Sequence, residues 1–458
     1  MESGKSVLVV GSGLMTPPLI RNLKSFGLKV AVLGNIPEDL ERLVSNFSVE
    51  THLVDVGATE SLKEVAQQHD LVISMVPSPL HPQVLRACIA ARKNMLTSSY
   101  ISPELRSLEE EAKTAGVAVL NEMGLDPGID NMTIALKVQE IKNKGGKIKK
   151  LVSTCGAIPA PQNPGPLGYK ISWAPSGALL AFKRPAKFYE EGELKVIEGN
   201  ELMKNAREYQ FGEDLEKKLV FYPNGDSTSY HQTYGLEEVP TLIRASFRYR
   251  ETSVVFRAFI LLGFFEQSLF QVEQYGTWKS LVSYLAGEVP GDPSSVPSDL
   301  NYDADLALRL SGKFSSEFTS EQIQMILRAL GEAGFLSDSP IQQSMSIFDA
   351  FVEHLKQHCS YAEGEKDMVY MENLFWAEEG GEEVLYRSKM KSFGEPRTAS
   401  AVSELVGLPA SLGAKWILTH ELSSGFHVPS ETQIASDVLK ELQNYGVTFE
   451  ESVQKLSA

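Results

Sequence analysis

Short runs of aliphatic and β-branched residues alternate with stretches of helical apolar spacing over the first 125 residues of the chain. The runs are Val7–Val10, Val30–Leu33, Thr51–Val54, Leu71–Val76, Asn94–Thr97 and Ala118–Leu120. Strands that alternate with helices need crossover connections, so this pattern predicts a parallel, doubly wound α/β sheet. Between about 146 and 260 the strands become longer and more polar. Pro and Gly cluster there at Pro159–Gly168, which predicts a second α/β domain whose loops face a ligand. From about 261 to 360 the spacing turns helical, as in Glu321–Gly331 and Ile347–His358, interrupted by a linker at Pro290–Asp299. Strand character returns at Asp367–Tyr370 and Leu385–Ser392, followed by helices at Thr398–Leu405 and Ser430–Tyr445.

The first strand runs directly into Gly11, Ser12 and Gly13, and a helix opens at about Thr16 with Pro17 and Pro18 in its first turn. A strand, a glycine turn and a helix in this order form the context in which a Rossmann domain binds a dinucleotide. Gly11 permits the tight turn, Gly13 lets the backbone approach a pyrophosphate, and the helix start supplies N–H groups and the positive end of a dipole. Thr16 occupies the place of the usual third glycine, so the motif is partial, and a strand ending in a flexible turn is the competing reading. The second strand ends at Gly34 and Asn35, where an acid would hold a ribose 2′-hydroxyl or an arginine a 2′-phosphate. Asn35 is neither, so the choice between NAD and NADP stays open. Arg42 lies too far along the following helix to decide it. Asp55 is placed either to bond the adenine or to close a turn, and Met75, Val76 and Pro77 end the fourth strand where a nicotinamide would lie. Leu14, Met15, Leu125 and Asp126 complete the set expected to line the cofactor. The expected organisation is a Rossmann domain over 1–130, completed by 400–458, a substrate domain over 131–260 and 361–399, which the family resemblance given below also makes the dimerisation domain, and a helical insertion over 261–360.

Composition narrows the function classes. The 458 residues carry a formal net charge of −16, which argues against a surface built to neutralise nucleic-acid phosphates or anionic lipid. No apolar stretch reaches the length of a bilayer span and no leader pattern opens the chain, so a cytoplasmic protein is expected. Cys88, Cys155 and Cys359 are odd in number and far apart, as reduced thiols are. His354 and His358 are four apart but read as the end of a solvated helix, and no metal is expected. His81, beside Pro82, reads as a turn histidine. The acidic run at Glu378–Glu383 reads as a solvated hairpin. Loops after the fifth and sixth strands, at Ser98–Tyr100 and Glu122–Asp130, emerge at the carboxyl edge of the sheet, where open α/β sheets bind ligands, which places Tyr100 and Asp126 at the crevice.

The segments DLVISMVP, TSSY (Thr97–Tyr100), NEMGLDPGID (Asn121–Asp130), STCGAIPAP (Ser153–Pro161), LGYKISW (Leu167–Trp173), YPNGDST (Tyr222–Thr228), EGEKDMVYM (Glu363–Met371) and VGLPASLGAK (Val406–Lys415) occur in one order. As a set they resemble saccharopine reductases across nearly the whole chain. The resemblance implies an NAD(P)-dependent oxidoreductase acting on a CH–NH group. Such an enzyme joins a glutamate-like amino acid to an aldehyde through an imine that hydride reduces, or runs the reverse. It also implies small-molecule substrates and a homodimer. By resemblance, Ser99, Tyr100 and Asp126 contact substrate, as do Arg244, Ser246 and Arg248, with Arg248 gripping a carboxylate and Cys155 lining the pocket. Tyr100, Asp126 and Cys155 are the candidates nearest the chemistry. Three positions depart from the family pattern. Gly225 stands where an arginine pairs with a substrate carboxylate, Ser78 where a tyrosine follows the fourth strand, and Asn35 where fungal members carry arginine and animal members an acid. Arg244, Arg250 and Lys170 are the candidate replacement cations. A different amino acid and carbonyl pair, or a catalytically silent nucleotide-binding protein, are the alternative expectations.

Overall fold

After Ser6, β1 (Ser6–Val10) is apolar and Val7–Val10 are fully buried, as a central parallel strand covered on both faces must be. The computed structural model describes residues 4–211, 217–269, 272–288, 291, 296, 303–341, 346–395 and 399–456. The Pro290–Asp299 linker therefore lies outside the described residues apart from 291 and 296. The chain divides into two units, one of Met1–Cys155, Tyr230–Val239 and Met371–Ala458, the other of Gly156–Ser229 and Pro240–Tyr370.

The first unit begins with the expected alternation: β1, α1 (Thr16–Ser25), β2 (Lys29–Gly34), α2 (Pro37–Phe47), β3 (Glu50–Leu53), α3 (Thr59–Gln67), β4 (Leu71–Ser74), α4 (His81–Ala91), β5 (Asn94–Thr97), α5 (Pro103–Arg106), α6 (Glu109–Ala115) and β6 (Ala118–Leu120). Then α7 (Ile129–Asn143) leads into the long β7 (Lys147–Pro159), which passes into the second unit. β1 pairs in parallel with both β2 and β4, with Val7 opposite Val30 on one side and Leu71 on the other. The chain moves outward from β1 to β3 and returns at β4. The connections therefore diverge above the carboxyl ends of β1 and β4, the switch point at which ligands of such sheets bind.

In the second unit α8 (Pro175–Leu180) precedes a hairpin of β8 (Ala186–Glu190) and β9 (Glu193–Ile197), then β10 (Arg207–Glu208) and β11 (Leu219–Pro223). The short α9 (Tyr230–Thr233) returns to the first unit before β12 (Thr241–Tyr249) runs antiparallel to β11. From β12 the chain enters α10 (Arg250–Leu262), α11 (Trp278–Ala286), α12 (Ala304–Phe314), α13 (Ser320–Glu332) and α14 (Ile347–His358), whose apolar faces share one aromatic-rich core. His354 belongs to that core, contrary to the solvated helix end expected of it. Its ring lies 4.4 Å from those of both Trp278 and Phe335, and Nε2 is 2.7 Å from the Ala333 carbonyl.

β13 (Asp367–Glu379) leads back into the first unit and turns through Gly380 and Gly381 into β14 (Glu382–Phe393), so the acidic run is a hairpin as read. Next come α15 (Ala401–Thr419), β15 (Gly425–His427), α16 (Thr432–Gln443) and β16 (Glu450–Lys455). β15 adds in parallel to β6 and completes the seven-stranded order β15-β6-β5-β4-β1-β2-β3. The helix expected to stop at Leu405 continues through Pro409 to Thr419. It does so because its buried face packs on α1. A Cβ on Gly407 would meet the Leu19 backbone nitrogen at 2.8 Å, a contact only glycine allows. This glycine on α15 lets the two helices approach closely. Thr16, in the place of the usual third motif glycine, is buried and donates from Oγ1 to the Gly11 carbonyl at 2.9 Å.

Candidate active site

The glycine turn after β1 is shaped by contact with the end of β4. Gly11 has φ +118°, and a Cβ there would lie 2.8 Å from the Met75 carbonyl carbon and oxygen. A Cβ on Gly13 would meet nothing within 4 Å, so its side of the turn is open to a ligand. Pro17 and Pro18 have no N–H, and the donors available at this end of α1 are the turn amides of Gly13, Leu14 and Met15. Leu14 is 53% exposed beside them. These features fit a dinucleotide pyrophosphate. Beyond β2, exposed Asn35 is followed by the acids Glu38 and Asp39 in the first turn of α2, and Arg42 is held by Asp39 at 2.9 Å. Asp55 uses Oδ1 to accept from the Gly57 amide at 2.7 Å, the turn-closing role. Val76 and Pro77 follow β4 at the same edge of the sheet, and a Cβ on Gly11 would also lie 3.2 Å from the Val76 nitrogen.

The loops after β5 and β6 are sewn together by backbone. The Glu122 amide donates to the Ser99 carbonyl at 3.2 Å and the Met123 amide to the Thr97 carbonyl at 3.0 Å. Asn131 holds the loop from below, donating to Glu122 Oε2 at 2.7 Å and accepting from the Tyr234 hydroxyl at 2.5 Å. Within this frame the Tyr100 hydroxyl donates to Asp126 Oδ1 at 2.7 Å. Both side chains are half-buried, and Leu125 beside them is buried. The two residues that sequence placed at the crevice are thus brought into direct contact. Cys155 lies buried on β7.

The sequence predicts a turn histidine at His81, and the structure corrects this. It opens α4, is 1% exposed, and bridges two strands: Nδ1 is 2.8 Å from Ser74 Oγ at the end of β4, and Nε2 is 2.8 Å from Ser99 Oγ beyond β5. It orients a hydroxyl at the ligand edge. Burial pushes its pKa from 6.5 down to about 4, and burial does the same to His354. A histidine depressed in this way contributes its full stability above pH 6.5, and the contribution is lost as pH falls from 6.5 through about 4. Each should contribute on the order of 3 kcal/mol. Urea midpoints are therefore expected to drop steeply between pH 6.5 and 4.5, and His354→Gln should flatten that slope. An unchanged slope in the variant would show that His354 is already protonated.

On β12 of the second unit, Arg244, Ser246 and Arg248 alternate onto one face of the strand. Arg248 is 6% exposed, donates to the Phe247 carbonyl at 2.6 Å and lies over the Phe182 ring at 5.2 Å. Two of the three cations expected to replace the residue missing at Gly225 are engaged elsewhere. Lys170 is paired with Glu365, and Arg250 opens α10 near Glu208 at 3.8 Å. Arg244 is buried in β12.

Comparison with known proteins agrees along the whole chain. The family model described as Saccharopine dehydrogenase NADP binding domain matches residues 7–120, and that described as Saccharopine dehydrogenase C-terminal domain matches residues 124–447. A saccharopine dehydrogenase (NADP(+), L-glutamate-forming) of Pyricularia oryzae is 32% identical over 98% of this chain and 99% of its own length. The mitochondrial alpha-aminoadipic semialdehyde synthase of Bos taurus is also 32% identical over 98% of this chain, which spans 48% of that protein. The solved structure of apo saccharopine dehydrogenase (L-Glu forming) from Saccharomyces cerevisiae is 30% identical. It superposes with a TM-score of 0.86 over 98% of this chain and 100% of that one.

Proposed function

The chain belongs to the saccharopine dehydrogenase family, and from that premise we propose that it is an NAD(P)-dependent oxidoreductase acting on CH–NH bonds. Its substrates are a glutamate-like amino acid and an aldehyde that condense to an imine with loss of water. Reduction of the imine carbon then gives a secondary amine of the saccharopine type, and the reverse direction is an oxidation. When bound, the nicotinamide supplies or accepts the hydride. The turn amides from Gly13 to Met15 hold its pyrophosphate, and Val76 and Pro77 border its nicotinamide end.

The observation that carries this reading is the Tyr100–Asp126 pair, 2.7 Å apart at the carboxyl edge of the sheet that bears the glycine turn. Condensation of an amine with an aldehyde requires a proton to leave nitrogen and another to reach the departing oxygen. Asp126 takes the amine proton through a carboxylate that the Tyr100 hydroxyl orients, and the same pair returns a proton to the carbonyl oxygen as water forms. Ser99, its hydroxyl aimed by His81, hydrogen-bonds substrate. Arg244, Ser246 and Arg248 bind carboxylate, Arg248 through its planar fork, and Cys155 lines the pocket.

Asn35 offers neither an acid to hold a 2′-hydroxyl nor a guanidinium to hold a 2′-phosphate, and the cofactor in this reading is NADP or NAD. The three cysteines are buried and form no disulfide, which supports a reducing, cytoplasmic setting, and no helix among the described residues is long and apolar enough to cross a membrane. A homodimer is part of the proposal on the strength of the family resemblance. Incubation with millimolar saccharopine and NADP or NAD should generate the reduced-nicotinamide absorbance. No absorbance change with either dinucleotide would overturn the saccharopine assignment.

A further inference from the structure

Gly225, where the family pattern has a cation, lies beside an arginine from an earlier part of the chain. Gly225 has φ +63° and sits in the turn after β11, where its carbonyl accepts from the Lys187 amide at 2.9 Å and the Ser227 amide donates to the Lys187 carbonyl at 2.7 Å. These bonds fix the turn against the start of β8. Just before β8, Pro185 holds Arg184 in extended backbone, with φ −78° and ψ 126°. The Arg184 side chain then runs alongside the turn, and a Cβ on Gly225 would meet Arg184 Cδ at 3.6 Å and nothing else within 4 Å.

Around this place the second unit gathers buried polar atoms with no hydrogen-bond partner among the described residues: Tyr169 Oη, Tyr222 Oη and Arg248 Nε. All three side chains are more than nine-tenths buried. Burial pushes both phenols above their ordinary pKa. The Arg248 charge pulls back on both, and the Arg184 charge pulls back on Tyr222, so the four groups share one neighbourhood. Phe182, two residues before Arg184, supports the Arg248 guanidinium on its ring. A buried guanidinium without a counter-charge is costly, and so is each orphaned phenol. A single carboxylate offers the charge and the acceptor lone pairs that resolve all of them.

We propose that Arg184 and Arg248, with the hydroxyls of Tyr169 and Tyr222, form the receptor for one carboxylate of the amino-acid substrate, Arg184 supplying the cation that Gly225 lacks. This rests on the function proposed above and narrows it to a carboxylate-bearing substrate.

The test compares wild type, Arg184→Gln and Arg184→Lys, because Arg184 is exposed and its replacement should leave the melting temperature unchanged. Arg184→Gln is expected to raise the KM for saccharopine by roughly tenfold to a hundredfold with kcat within about threefold, since a charge-assisted contact is lost from binding rather than from chemistry. Arg184→Lys should recover much of the loss. Calorimetric titration of glutamate and of saccharopine into the NADPH-loaded protein gives a second readout that needs no turnover, and their affinities should fall in parallel in Arg184→Gln. If wild type oxidises saccharopine and Arg184→Gln leaves KM and both affinities unchanged, the receptor is overturned while the function stands. If wild type turns over no saccharopine, an Arg184-dependent affinity for glutamate still supports the receptor, and glutamate binding that does not depend on Arg184, or binding of neither compound, overturns it.

Discussion

Asp126→Asn is expected to lower turnover of saccharopine by about 10²- to 10⁴-fold, the range that a positioned proton-transfer group contributes, with little change in dinucleotide affinity. The amide keeps the size of the side chain and an oxygen that can still accept from the Tyr100 hydroxyl. It loses the charge and the capacity to take up a proton, so the variant isolates chemistry from architecture. Steady-state kinetics with saccharopine, together with fluorescence titration of NADPH, separates the two. A kcat within about threefold of wild type would remove Asp126 from proton transfer. Tyr100→Phe should cost less, because it removes only the hydroxyl that donates at 2.7 Å to Asp126 Oδ1. The double variant should be scarcely worse than Asp126→Asn alone, because residues that act as one unit give non-additive losses.

That pair was legible in the sequence because local patterns determine where parallel strands end. Buried strands appear as apolar runs, and the residues after them land at the carboxyl edge of the sheet whatever the details of packing. Asn94–Thr97 and Ala118–Leu120 have their expected limits, so Tyr100 and the Asp126 loop fall where the runs place them. β4 stops at Ser74 rather than Val76 because the chain turns there to meet Gly11, a tertiary contact that no local pattern encodes. The place of His81 is hidden from the sequence for the same reason. Its two partners come from the ends of different strands, and only the assembled sheet shows that a histidine at a helix start is enclosed by Ser74 and Ser99. One signal was present: Ser74 closes an otherwise apolar buried strand, and a buried hydroxyl requires a partner. Arg184 had no such signal. Its proximity to Gly225 depends on the hydrogen bonds between the β11 turn and Lys187, whereas the cations nominated from sequence lay near familiar motifs and are held by Glu365, by Glu208 or within β12.

Gly11→Ala and Gly13→Ala should fail in different ways, and the difference tests whether the glycine turn holds a dinucleotide. At Gly11 the added methyl group meets the Met75 carbonyl at 2.8 Å and the backbone is at φ +118°, where L side chains are strained whatever the space. Overpacking and backbone strain together should destabilise the protein by roughly 2–5 kcal/mol, seen as a lower urea midpoint before any ligand is added. At Gly13 the same methyl group meets nothing within 4 Å, so unfolding of the ligand-free variant should match wild type. The methyl group would instead stand where the pyrophosphate must approach. NADPH affinity is expected to fall by roughly tenfold to a hundredfold, the equivalent of one or two charge-assisted hydrogen bonds. Because both substitutions add one methyl group two residues apart, their contrast does not depend on side-chain chemistry. Wild-type NADPH affinity in Gly13→Ala would move the pyrophosphate off this turn, and an unchanged urea midpoint in Gly11→Ala would contradict the close passage of β1 past Met75.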